Sequence, residues 1–187
     1  FDAKYEKKLE NGESIVTFGS NDVIIIKYSS IGEIEWTRVI GGTSVDNFKE
    51  IVECIDGSYV IGGNTLSNSI ELGNGVNLNY KTVSNYGGMI ARFEKSEVSN
   101  PKVIQVEGIG GTADDYIKSI SETSDGGYIA GGYFNSSSIN LGNGINLATQ
   151  GSNDGIVIKY STEGRVEWAK TIGGSDDDRI NSVIECA

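Results

Sequence analysis

Apolar and polar positions along this chain fall into short runs, and the same runs return. The most apolar are residues 23–28, 89–93 and 156–160, each with one basic residue at the same place: Lys27, Arg92 and Lys159. A run this short with apolar residues on both faces predicts a strand covered on both sides. A second type follows, residues 33–40 and 165–172, carrying Trp36 and Trp168. In the middle copy Gln105 takes the tryptophan position, and the only proline, Pro101, opens the run. Proline has no N–H to give a neighbour, so this type predicts an edge strand.

A third type, residues 46–55, 115–123 and 178–186, has apolar residues at Phe48/Ile117/Ile180 and Ile51/Ile120/Val183. A spacing of three suits a helix as well as a strand. The pairs Asp56-Gly57 and Asp125-Gly126 decide for a strand, because they predict tight type I′ hairpin turns leading into residues 59–63 and 128–132. Residues 69–78 and 138–147 then alternate around Asn74-Gly75 and Asn143-Gly144. We expect a small extra hairpin there, with an ordered surface loop as the alternative. The N-terminal copy of this insert keeps Leu9, Asn11-Gly12 and Ile15.

The runs belong to a repeat. Residues 19–42 and 151–174 are identical at 15 of 24 positions without a gap, and a more divergent copy lies between them. The period is about 66 residues. Four antiparallel strands per unit, joined by short turns and covered on both faces, predict an all-β fold of β-propeller blades. A parallel β-helix has much shorter coils, and a sandwich does not need the repeat. The expected division is a partial blade over 1–42, blades over 43–107 and 108–172, and the first strand of another over 173–187. Such an incomplete ring holds about two full blades with partial blades at each end. A closed propeller needs whole blades, so we expect the parent chain or other copies to supply the rest.

The succession DGGYIAGGYF, LGNGINL, GSNDGIVIKYSTEGRVEWAKTIGG resembles the bacterial β-propeller repeat called SBBP. The matching elements are Asp125-Gly126, Asp154 with Lys159-Tyr160, Gly164, Trp168, and Gly173-Gly174 with Asp178. The middle copy departs from the pattern, with Gly87 for the strand-leading aspartate and an extended turn over 94–100. The resemblance implies a seven-bladed type of propeller in secreted or surface-attached bacterial proteins, few of which have a defined activity.

Composition narrows the function classes. The net charge of −11 argues against nucleic acid and against an anionic membrane surface. No apolar run reaches the length of a membrane span. The first residue is Phe1, which leaves a removed leader open. Cys54 and Cys186 are repeat equivalents, so we expect them in different blades, beyond disulfide reach, as small apolar residues; a redox pair is the alternative. The 26 glycines suit many tight turns.

The chain has no histidine, which removes Ser-His-Asp and Cys-His catalysis and any imidazole metal ligand. The Gly-Gly pairs precede strands, so they are not phosphate loops. Two candidate chemistries are left. Trp36 and Trp168 each follow a glutamate (Glu35, Glu167), an arrangement for stacking a sugar beside a carboxylate or, more simply, for packing against the next blade. Asp114, Asp115, Asp176, Asp177 and Asp178 follow Gly-Gly pairs and offer oxygens to Ca²⁺. Their spacing matches no calcium loop, and only Asp46, Asp115 and Asp178 recur in every copy, as turn-capping residues would. In a four-stranded meander the inserts and the Gly-Gly loops leave on one face. Asn74, Gly75, Asn143, Gly144, Asp46, Asp115 and Asp178 therefore mark the candidate ligand face, for a protein or a glycan. The expected function is a non-catalytic binding or scaffold segment, without a cofactor beyond a calcium candidate; a carbohydrate-binding or glycan-processing accessory module is the alternative.

Overall fold

The computed structural model describes residues 6–79, 85–95 and 101–186. Phe1, Ala187 and most of the extended turn over 94–100 lie outside the described residues. Sixteen strands and no helix occur among the described residues. A hairpin, β1 (Glu6–Lys8) and β2 (Ser14–Val16), precedes β3 (Val23–Tyr28) and β4 (Ile34–Gly42). The first full blade has β5 (Asp46–Glu53), β6 (Tyr59–Thr65), the inserted hairpin β7 (Ser69–Glu71) and β8 (Asn77–Asn79), then β9 (Gly87–Phe93) and β10 (Val103–Ile109). The second repeats it as β11 (Asp115–Glu122), β12 (Tyr128–Phe134), β13 (Ser138–Asn140), β14 (Asn146–Ala148), β15 (Asp154–Tyr160) and β16 (Val166–Ile172). The two blades are four-stranded antiparallel sheets in the orders β5-β6-β9-β10 and β11-β12-β15-β16, and no sheet closes on itself. The tryptophan-type run is the edge strand in both, and Pro101 sits just ahead of β10.

Two kinds of glycine turn close the hairpins. At Asp56-Gly57 the Gly57 N–H donates to Cys54 O at 2.7 Å and Cys54 N–H to Ser58 O at 2.8 Å, with only the glycine at positive φ (78°). This is a three-residue loop with a bulge and not the expected type I′ turn, because Asp56 keeps its ordinary φ. Asn74-Gly75 and Asn143-Gly144 do form type I′ turns. Both residues of each pair have positive φ, and Val76 N–H donates to Gly73 O at 3.1 Å and Ile145 N–H to Gly142 O at 2.8 Å. The inserts are hairpins, as the alternation of apolar positions predicts.

Successive blades stack face to face. Ile117 and Ile120 of β11 lie over Gly62 of β6, where a methyl group would stand 2.5 Å from Ile120 Cδ1. One apolar cluster fills this interface, with Val60, Ile90 and Ile109 from one blade and Tyr128, Ala130, Ile156, Ile158 and Tyr160 from the next. A second joins Ile40 of β4 to Ile61, Met89, Ala91 and Phe93, with Ile70 and Leu72 of the inserted hairpin wedged between. That wedge is hydrogen-bonded to the preceding sheet, since Gly41 and Gly42 of β4 pair with Glu71 and Ile70 of β7. Side chains on that stretch of β4 would block the pairing, because a methyl on Gly42 would stand 2.1 Å from Ser69 O.

Residues 178–186 differ from expectation. They pair with no strand among the described residues, yet they lie where a first strand belongs. Ile180 and Val183 cover Gly131 as Ile117 and Ile120 cover Gly62. Asp178 N–H donates to Asn153 O at 2.8 Å and Val183 N–H to Ser119 Oγ at 3.2 Å. A first strand enters a ladder only beside its second strand, and the described residues hold none for this segment.

At Gly132 a methyl group would stand 1.9 Å from the Tyr116 carbonyl oxygen, whereas nothing lies within 4 Å of one at Gly174. Gly132→Ala is expected to lower stability by about 2 kcal/mol through overpacking against backbone. Gly174→Ala is expected to stay within about 0.5 kcal/mol of the parent. Urea midpoints of the two variants check this.

Candidate functional site

The face carrying the Gly-Gly loops and the starts of the inserts is built around the recurring aspartate. Asp115 opens β11 and is almost fully buried. Its carboxylate accepts four hydrogen bonds: from Gly111 N–H (2.9 Å), Ser136 Oγ (2.6 Å), and the Asn135 and Ser136 N–H groups (3.2 Å each). Asp46 accepts from Gly42 N–H (2.7 Å), Ser67 Oγ (2.9 Å) and the Thr65 hydroxyl. Asp178 accepts from Gly174 N–H (2.9 Å). Each carboxylate thus caps the Gly-Gly loop, and in the two full blades it also holds the start of the insert. Burial pushes the Asp46 and Asp115 carboxyls up, and the donors around them pull back.

A second aspartate supports the same loops in the outer copies. Asp22 accepts from Phe18 N–H (2.7 Å) and Gly19 N–H (3.2 Å), and Asp154 accepts from Gln150 N–H. The other oxygen of each lies against a glycine, where a methyl would stand 2.0 Å away at Gly41 and 2.1 Å away at Gly173. Gly87 replaces this aspartate in the middle copy, where Tyr86 keeps the backbone bond that Asn21 and Asn153 make to the recurring aspartate in the outer copies and adds one to Asp114. Its N–H donates to Asp114 Oδ1 (2.8 Å) and its carbonyl accepts from Asp115 N–H (2.7 Å).

The remaining acidic candidates do not converge. Asp177 is held by Arg179 at 2.6 Å, which keeps its carboxyl below the ordinary range, and Asp176 is exposed. Among the described residues no group of three or more His, Cys, Asp or Glu side chains is placed to hold a metal ion. The Asn74-Gly75 and Asn143-Gly144 tips are exposed but do not share this face as expected: Asn143 Nδ2 reaches Val166 O at 3.4 Å, at the far end of β16 from Gly173-Gly174, because each insert starts beside the Gly-Gly loop and runs back along the edge strand of the preceding sheet.

The two tryptophans part company. Trp36 is 5 % exposed, edge-on to Tyr59 of the following blade at 5.9 Å between ring centroids. Gln105 fills the equivalent contact with hydrogen bonds to the Tyr128 hydroxyl (2.8 Å) and Gly164 O (2.7 Å). Trp168 is 41 % exposed. Only Trp168 has a ring open to a ligand. The glutamates beside them pair with the basic residue of the third strand, Glu35 with Lys27 at 3.0 Å and Glu167 with Lys159 at 3.3 Å.

That basic residue also anchors the Asp-Gly turn of its own blade. Arg92 pairs with Asp56 and Lys159 with Asp125, each at 2.8 Å. Lys159 holds the Asp125 carboxyl well below the ordinary range, helped by the Thr123 hydroxyl and Gly127 N–H. Cys54 is buried and Cys186 exposed, and both are free thiols; burial pushes the Cys54 thiol up. One group escaped the sequence reading. Tyr86, Tyr116 and Tyr133 form a ladder with centroids 5.4 and 4.8 Å apart. Lys118 lies over Tyr116 and Tyr133, and Arg179 lies 4.6 Å over Tyr133. Burial first, then the Asp114 charge, pushes the Tyr116 hydroxyl up to about 12. The counterparts of Tyr116 and Tyr133 are Asn47 and Asn64, so the repeat gives no sign of the ladder.

No protein-family model matches this chain, and none of the curated proteins matches it.

Asp115→Ala strands four donors in a buried loop junction and is expected to cost about 3 kcal/mol. Asp176→Ala, an exposed change on the same face, is expected to leave the urea midpoint in place. The Lys159–Asp125 pair gives a pH signature. A carboxyl held below its ordinary 3.8 contributes stability that is fully present above that value and lost as pH falls below it. Asp125→Asn should therefore melt below the parent at neutral pH, with the gap closing under pH 3.8. Paired thermal melts across that range check the sign.

Proposed function

We propose that this chain is a non-catalytic binding or scaffold segment of a secreted or cell-surface bacterial β-propeller of the SBBP type. The observation that carries the reading is the fate of the recurring polar residues. Asp46, Asp115, Asp178, Lys27, Arg92, Lys159 and the glutamates beside the tryptophans are all engaged in holding strands, turns and loops. A set of side chains committed to a frame leaves specificity to what the frame carries, namely the exposed hairpin tips and the loops after the Gly-Gly pairs. The tips repeat as Asn74-Gly75 and Asn143-Gly144, whereas the loops vary between copies, as in Thr43-Ser44-Val45, Thr112-Ala113-Asp114 and Ser175-Asp176-Asp177. Binding residues concentrate on such loops when a rigid scaffold positions them. The partner is a protein that meets an acidic loop face.

The carbohydrate reading rests on Trp168 alone, beside Glu167. Probing the chain on a glycan array and a panel of extracellular proteins separates the two. The scaffold reading expects a protein ligand whose binding falls at least tenfold in Asp176→Lys/Asp177→Lys and is unchanged in Trp168→Ala. Glycan binding lost in Trp168→Ala would establish the carbohydrate module instead.

A further inference from the structure

The two junctions between neighbouring sheets are built alike, and one of them has a cavity where the other has a guanidinium. Arg38 of β4 pairs with Ile25 and Glu107 of β10 pairs with Ile90, each two residues before the basic residue of the third strand, Lys27 or Arg92. The two side chains therefore hold one position in the repeat. Arg38 is buried, with its guanidinium 4.9 Å over the Phe93 ring. It donates to Leu72 O at 2.8 Å and to the Pro101 carbonyl. Leu72 belongs to the inserted hairpin, and Pro101 to the turn ahead of β10.

At the second junction the same frame stands without that group. Leu141 and Gly142 correspond to Leu72 and Gly73, since Leu141 N–H donates to Ile145 O as Leu72 N–H does to Val76 O. Gly164 corresponds to Pro101, because each precedes the residue whose carbonyl closes the turn, Arg165 for Ser161 and Lys102 for Glu94. With Glu107, these residues line a cavity of about 250 Å³. A methyl group on Gly73 would stand 3.2 Å from Arg38 Cζ, whereas one on Gly142 would meet nothing within 4 Å. Glu107 is half-buried beside the Tyr160 hydroxyl, and among the described residues no lysine or arginine pairs with it. Burial pushes its carboxyl up, as it does for a charge withdrawn from water without an opposite one, and the Tyr160 hydroxyl pulls back. Arg165 is exposed on the rim, and Gly164 O accepts from Gln105 Nε2 at 2.7 Å.

We propose that this cavity takes a guanidinium group from outside the chain, in the place that Arg38 fills from within at the first junction. The Glu107 carboxylate supplies the opposite charge, and the Leu141 carbonyl is the acceptor that corresponds to Leu72 O. A guanidinium suits such a place better than an ammonium, because its planar fork can donate to a carboxylate and a carbonyl at once. Both walls come from the two full blades, Glu107 from one and Leu141 with Gly164 from the other. The site lies by the hairpin tip, away from the Gly-Gly loops, and it stands whether or not those loops bind a protein.

Titrating the chain with methylguanidine and with N-acetylarginine amide, followed by amide NMR shifts, tests it. Saturable shifts at Gly142, Asn143 and Gly164 are expected, with binding weakened about tenfold in Glu107→Gln. That variant keeps the shape and the acceptor for the Tyr160 hydroxyl and removes only the charge, so it should melt no lower than the parent. Glu107→Arg supplies the first junction's own occupant and should bind neither probe. Tighter binding of the arginine amide assigns the guanidinium to an arginine of a protein partner, and equal binding assigns it to a small molecule. N-acetylcitrulline amide has the shape without the charge and should not bind. No saturable shift at these amides, binding unchanged in Glu107→Gln, a Glu107→Gln melt well below the parent's, or citrulline binding as well as arginine would each overturn the proposal.

Discussion

The seating of one strand on the glycines of the preceding sheet is the contact on which the rest of this structure depends. A sheet alone has two faces to cover, and these sheets are apolar on both. They can approach closely only where one side contributes no side chain. Gly62 and Gly131 supply that space, and the pairs Ile117/Ile120 and Ile180/Val183 fill it. The apolar spacing of three in the first-strand runs is the imprint of this seating. It survives in a strand because β5 and β11 each carry a register shift, after Phe48 and after Ile117, that brings both apolar residues to one face.

Close stacking leaves backbone groups of the first strand facing another blade instead of water, and polar side chains answer them in a repeated way. Glu50 accepts from Ile120 N–H at 2.7 Å, and Ser119 does the same for Val183. Glu122 reaches back to Ile55 N–H at 2.6 Å, and Glu185 to Ser124 N–H. These links run from each blade to its neighbour along the C-terminal half of the first strand. An unmet buried donor costs more than a made bond returns, so they fix the register of the stack more than they add to its strength. The same economy of side chains shapes the function proposed here. Among the described residues the acidic side chains serve clips and turns or face solvent, and no three of them are placed to hold a metal ion.

The repeat interface also accepts different chemistry at one place. Arg38 over Phe93 and Glu107 beside Tyr160 occupy equivalent positions and are each matched to the aromatic residue they meet. Trp36 on Tyr59 and Gln105 with Tyr128 make a second such pair. The two junctions therefore share one geometry and are filled by different pairs of side chains.

The sequence by itself determined the period, the order of the four strands, the inserted hairpins and the edge position of the tryptophan strand. Each follows from local rules: alternation, φ > 0 at glycine, and the missing N–H of proline. The recurrence of Asp46, Asp115 and Asp178 likewise pointed to a capping role, because a residue fixed by the repeat serves what the repeat shares. Tertiary structure alone decided what depends on a neighbouring blade. Trp36 and Trp168 are equivalent in sequence and opposite in burial, since among the described residues a following sheet covers Trp36 and none covers Trp168. Asp176 and Asp177 adjoin Asp178 along the chain and still share no centre with it, because the loop turns each outward while Asp178 points back to Gly174. The tyrosine ladder joins two blades and a cation from residues 178–186, a meeting that no spacing along one strand encodes. Local conformation is written in each residue's own backbone and neighbours, whereas exposure and encounter are set by surfaces brought together from far along the chain.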